Sequence, residues 1–123
     1  MEPDNGRLAI ILVAPVLPGQ SEAWRRFVQE MTGLRRHEYE ASRRRLGVAS
    51  EWIWLVEARS GVTAVIAVRA AQPEQIMAGI AASDQPFDHW YCQQLLALLR
   101  LDKDQLHANP TPELLWGWQG RRL

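Results

Sequence analysis

Residues 51–70 read EWIWLVEARSGVTAVIAVRA. Two apolar runs, 51–59 and 62–70, flank the short Ser60-Gly61 link, and both are rich in β-branched and aromatic residues that suit a pleated surface. A Gly-containing link of this length predicts a β-hairpin. Side chains alternate across a strand. Trp52, Trp54 and Val56 therefore share one face of the first strand, with Ile53 and Leu55 on the other. In the second strand Val62, Ala64, Ile66 and Val68 oppose Val65 and Ala67. Neither face is polar, whereas a sheet with one solvated face alternates apolar with polar residues. The hairpin thus expects cover on both sides.

Working outward, LAIILVAPV (8–16) is a third apolar strand, bounded by Gly6 and by Pro18-Gly19. Strict alternation places Leu8, Ile10 and Leu12 on one face, and Ile11 and Val13 on the other. Near the C-terminus ELLWGWQG (113–120) alternates Leu114, Trp116 and Trp118 with Leu115, Gly117 and Gln119, which predicts a short final strand.

Helical periodicity fills the intervals. Ser21 is a candidate N-cap with Glu22 in the first turn, and Trp24, Phe27, Val28 and Met31 recur at helical spacing over 21–32. After Gly33, LRRHEYEASRRRLG (34–47) is a helix polar almost all round, closed by Gly47 as C-cap. Arg36 with Glu40, and Glu40 with Arg44, stand at i,i+4 spacing. Pro73 opens a helix over 73–82 with Ile76, Met77 and Ile80 as its stripe. Residues 83–86 break it, and FDHWYCQQLLALLRL (87–101) makes another helix. Residues 102–112 read as a polar loop.

This element order is the split βαβ, ferredoxin-like topology. It predicts an α+β domain over 7–120, with a four-stranded antiparallel sheet, helices on one face, a lead-in at 1–6 and a tail at 121–123. Helices cover one face only. The other would expose more apolar surface than monomers usually tolerate, so a second copy, as a homodimer, is expected to cover it.

Composition narrows the function classes. The chain has 123 residues, 14 basic and 14 acidic, and a formal net charge of zero. Nucleic-acid binding would need a basic excess, so no nucleic-acid partner is expected. The single cysteine, Cys92, excludes an intramolecular disulfide, makes a Cys-based metal site implausible and fits a reducing cytoplasm. The run Leu8–Val13 is too short for a signal peptide or a membrane span. No metal site and no cofactor are expected.

The first strand with EAWRRFVQEM after it, the EWIWL/VTAVIAV hairpin and the helix after SDQPFDHW resemble the dimeric α+β barrel superfamily. RRHEYEASRRRLG and SDQPFDHWY look closest to an uncharacterised bacterial branch of it. The superfamily includes cofactor-independent antibiotic-biosynthesis monooxygenases, aromatic polyketide cyclases, haem-degrading enzymes and stress-responsive barrel proteins. The resemblance implies a small-molecule-binding barrel: a monooxygenase or cyclase acting on an aromatic or polyketide-like compound, or a non-catalytic ligand-binding or stress-related barrel, or a structural partner subunit. It covers roughly 7–120 and rests on topology and pattern, without an active-site motif.

The candidate chemistry therefore comes from residue types. On the polar helix, His37 can move protons near neutral pH, Arg36 and Arg43 can hold a carboxylate or enolate, and Tyr39 can donate a hydrogen bond. A solvated, salt-bridged helix is the plainer reading of the same residues. His89 is the second acid–base candidate, while Asp84 and Asp88 read as helix-terminus residues. Trp54 and Trp90 are candidates to stack on a small aromatic ligand. The six tryptophans suit core or interface packing equally well. The expected cavity lies between sheet and helices.

Overall fold

The computed structural model describes residues 6–108 and 115–117. Strands β1 (Arg7–Pro15), β2 (Val48–Ala58) and β3 (Gly61–Ala70) form an antiparallel sheet in the order β1-β3-β2. β2 and β3 are the expected hairpin, with Ala58 opposite Gly61 across the Arg59-Ser60 turn. β2 starts at Val48 because its first residues pair with Ala70 and Arg69 at the far end of β3. The expected strand over 113–120 falls outside the described residues except for 115–117. Those three form no strand, and Leu115 and Trp116 are exposed. The described sheet therefore has three strands.

Strict alternation fails in β1. Ile10 pairs with Ala67 and Leu12 with Ile66, so Ile11 is an extra residue in a bulge. A bulge reverses the facing of everything beyond it. Leu8 and Ile10 consequently share the outer face with Val13, while Ile11, Leu12 and Ala14 are buried.

The helices are α1 (Ser21–Thr32), α2 (Arg36–Leu46), α3 (Ile76–Ala82), α4 (Pro86–Leu98) and α5 (Lys103–Ala108), with a 3₁₀ turn at Pro73–Gln75 leading into α3. Ser21 is the first residue of α1 and not its cap: the chain turns on a backbone bond from Gln20 N–H to the Leu17 carbonyl (3.0 Å), which places Gln20 at the cap position. Gly47 closes α2 in the left-handed region (φ 78°), its N–H reaching the Arg43 and Arg44 carbonyls. α4 stops at Leu98, short of the expected 101. There the backbone leaves the helix to pair with β1's exit: Leu17 N–H donates to Leu98 O (2.9 Å) and Arg100 N–H to Pro15 O (2.8 Å). The expected loop 102–112 contains α5. Its start is a reciprocal cap: Gln105 N–H donates to the Asp102 carboxylate (3.0 Å), and Asp102 N–H to the Gln105 side chain (2.7 Å).

The helices pack on one face of the sheet. Leu12, Ile66 and Ile53 stand in register, as do Ala14, Ala64 and Leu55. They share one apolar cluster with Trp24, Phe27 and Met31 of α1 and with Tyr91 and Leu95 of α4. Aromatic rings fill the layer, with Phe27 within 5.7 Å, centroid to centroid, of Trp24, Trp90 and Tyr91. The opposite face carries no described element. Leu8 is 56% exposed there, Val13 52% and Trp54 48%, and Ile10, Trp52 and Val56 are also open. Among the described residues no helix is long and apolar enough to cross a membrane.

Candidate functional site

Two features stand out: a buried polar network inside the helix layer, and an apolar groove on the open face of the sheet.

The network joins α2, α4 and the start of β2. In β2 the helix-facing positions are Glu51, Ile53, Leu55 and Glu57; Glu57 stays exposed near the turn, while Glu51 is carried into the apolar layer. Arg43 of α2 meets it, its Nε donating to Glu51 Oε1 at 2.6 Å, and both side chains are almost wholly buried. The Tyr39 hydroxyl donates to the same oxygen at 3.1 Å. Arg43 Nη1 donates to Ser42 Oγ (2.9 Å), which donates to Asp88 Oδ1 (2.6 Å), and Arg45 pairs with the second Asp88 oxygen. Asp88 is fully buried in the first turn of α4, where the helix dipole also favours its charge. The Arg43 guanidinium lies over two rings, 5.0 Å from the Tyr39 centroid and 4.7 Å from that of Tyr91. Two cations and two carboxylates balance.

This arrangement holds protons where they are. Burial, then the Glu51 charge, pushes both the Tyr39 and the Tyr91 hydroxyl well above the ordinary phenol range. Burial opposes the Arg43 charge, but Glu51 and the two tyrosines outweigh it and keep the guanidinium protonated. At neutral pH the tyrosines are hydrogen-bond donors, not bases. Among the described residues, Arg43 Nη2, Glu51 Oε2 and the Tyr91 hydroxyl are buried without a hydrogen-bond partner. Buried polar atoms are normally hydrogen-bonded, so this corner has capacity for a further polar group. A shallow depression of about 200 Å³, lined by Tyr39, Arg43, Arg44 and Glu51 among others, lies beside it.

The groove lies on the other side of the sheet. In register across the strands stand Ile10, Ala67 and Trp52, then Val13, Val65 and Trp54, with Leu8 opposite Arg69 at one end. Ala67 is small and almost fully covered, so it forms a floor between the aliphatic residues of β1 and the indoles of β2. The groove has a volume of about 370 Å³.

Of the expected site residues, Tyr39 and Arg43 come together at Glu51. His37 is exposed, with no side-chain partner found among the described residues. Arg36 is exposed and pairs with Glu40 at 3.2 Å, and Arg44 reaches the same Glu40 at 3.6 Å, as the i,i+4 spacing anticipates. His89 is exposed on α4, its Nε2 2.7 Å from the Ser83 carbonyl. Trp90 is half-buried under the Arg35 guanidinium, 4.2 Å from its ring centroid. Trp54 belongs to the groove. The expected cavity between sheet and helices is packed with aromatic side chains, and the polar helix and the Trp-bearing face lie on opposite sides of the sheet. Sequence reasoning passed over Glu51 and Ser42, and named Arg45 only as part of the arginine-rich end of the polar helix. The available signal was Glu51 in the helix-facing register of an apolar strand, near an arginine-rich helix. Among the described residues no three His, Cys, Asp or Glu side chains converge as metal ligands would.

A scan against models of known protein families, a search of curated proteins and a search of solved structures each return no match.

Proposed function

We propose that this chain is a small-molecule-binding protein, built as a sheet-to-sheet homodimer of the dimeric α+β barrel type. One observation carries the reading: the sheet face turned away from the helices is apolar and open, with six large side chains exposed on it. Three strands of 9 to 11 residues make a face of roughly 14 by 33 Å, or about 450 Å² in projection. That lies within the roughly 300–600 Å² of the largest apolar patch on a typical monomer, a patch that is often functional. A second copy brings an equally apolar, self-complementary face, and the net charge of zero sets no repulsion against it. The strand order β1-β3-β2 is compatible with a ferredoxin-like sheet.

In this reading the second copy closes over the rim and the groove becomes an interior site for a small, flat aromatic molecule. Binding without acid–base catalysis fits better than monooxygenase or cyclase chemistry, because His37 and His89 stand in solvent and the buried tyrosines keep their protons.

Sedimentation velocity at micromolar concentration tests the proposal. The wild-type chain should sediment as a dimer. Trp54→Glu and Val13→Glu, each placing a charge in the interface, should sediment as folded monomers with unchanged far-ultraviolet circular dichroism. A monomeric wild-type chain, its face covered by its own residues or by none, sinks the proposal.

A further inference from the structure

The groove is apolar except at one end, where Arg69 lines it beside Leu8 and Trp52. Arg69 belongs to the outward register of β3 with Thr63, Val65 and Ala67. Three arginines on the helix side of the sheet or beside it have acidic partners: Arg7 with Glu74, Arg25 with Glu57, Arg43 with Glu51. Arg69 has none among the described residues. No described carboxylate faces this side of the sheet, because Glu51 and Glu57 of β2 point to the helix side, toward Arg43 and Arg25.

An unpaired guanidinium is tolerable on an open surface but costly once closed away from water. A symmetric dimer makes the imbalance worse. It apposes the same face twice, so it adds a second Arg69 and no described acid. We infer that the groove takes a flat aromatic carboxylate, with its ring system between the Trp52 and Trp54 indoles and the Ile10 side, and its carboxylate on Arg69. The guanidinium presents paired N–H donors that match a carboxylate in two parallel hydrogen bonds. The indole faces suit a planar apolar body. A volume of about 370 Å³ lies at the small end of ligand sites, which fits a molecule of one or two rings. The ligand supplies the counter-charge that the protein face lacks.

This inference rests on the proposed binding dimer, and the test separates the two. Isothermal titration calorimetry with naphthoate and with its uncharged amide, naphthamide, reads the ligand class, and sedimentation of the same samples reads the assembly. A charge-assisted pair should favour naphthoate over naphthamide by about ten- to a hundredfold. Arg69→Gln should erase that preference while leaving the dimer intact, and Arg69→Lys should keep part of it. Equal affinity for acid and amide overturns the inference, as does a preference that survives Arg69→Gln. A dimer that binds neither probe overturns the ligand class and leaves the dimer standing. A monomer that prefers naphthoate through Arg69 keeps the ligand class and removes the dimer.

Discussion

The Arg43–Glu51 pair offers a direct test of the helix layer. The two side chains are 6% and 3% exposed, and Nε lies 2.6 Å from Oε1. At this burial the attraction is offset by desolvation of both ions, so removing one partner costs more than removing both. Glu51→Leu leaves a guanidinium buried between two rings with no anion, at a cost of about 3–5 kcal/mol. Arg43→Met leaves a buried carboxylate and costs about the same. The double variant keeps the volume apolar. What it loses is the acceptor of the Tyr39 hydroxyl and one donor to Ser42, together about 1–2 kcal/mol. The coupling between the two sites should therefore be at least ~4 kcal/mol. Urea denaturation of the four proteins, followed by circular dichroism, measures it. Each single variant should lose a large part of a stability that for a domain this size is roughly 5–15 kcal/mol, and the double should recover most of it. Additive single effects would refute the reasoning. So would a cost below about 1 kcal/mol for either single variant, which would mark the pair as solvated.

Three further outcomes follow from the same geometry. The chain has two tyrosines, Tyr39 and Tyr91, and both are raised above the ordinary phenol range by burial and then by Glu51. The folded state thus holds phenolic protons that the unfolded state releases, so stability is full below about pH 10 and falls as pH rises past it. An ultraviolet titration should show tyrosinate appearing only as the protein unfolds; normal titration in the folded state would contradict this. Gly47→Ala should destabilise by about 1 kcal/mol in thermal unfolding, because a Cβ is strained at its φ of 78° while nothing blocks it in space. Asp102→Ala removes one half of the reciprocal cap on α5 and should cost about 1 kcal/mol; hydrogen exchange confined to faster opening of 103–108 is the expected signature.

The parts of this protein legible in its sequence are those set by local chemistry. The hairpin followed from period-two alternation around Ser60-Gly61, the ends of α2 from its charge pattern and Gly47, and the doubly apolar sheet from Trp52 and Trp54 alternating with Ile53 and Leu55. Two local signals were present but passed over: the Asp102–Gln105 cap that starts α5, and Glu51 in the helix-facing register. Other features needed partners distant in the chain. The bulge at Ile11 depends on how β1 matches β3, and it alone turns Val13 outward. α4 ends where β1's exit claims its backbone. The candidate site divided for the same reason. Arg43 acquires a role only when β2 brings Glu51 beneath it and α4 brings Asp88 alongside. Trp54, a stacking candidate from its sequence, and Arg69, there simply a strand residue, become neighbours of one groove only once β3 lies between β1 and β2. Periodicity along one segment decides which side chains share a face. Which faces meet, and which charges are left without a counter-ion, is decided by contacts between segments, and no single segment encodes those.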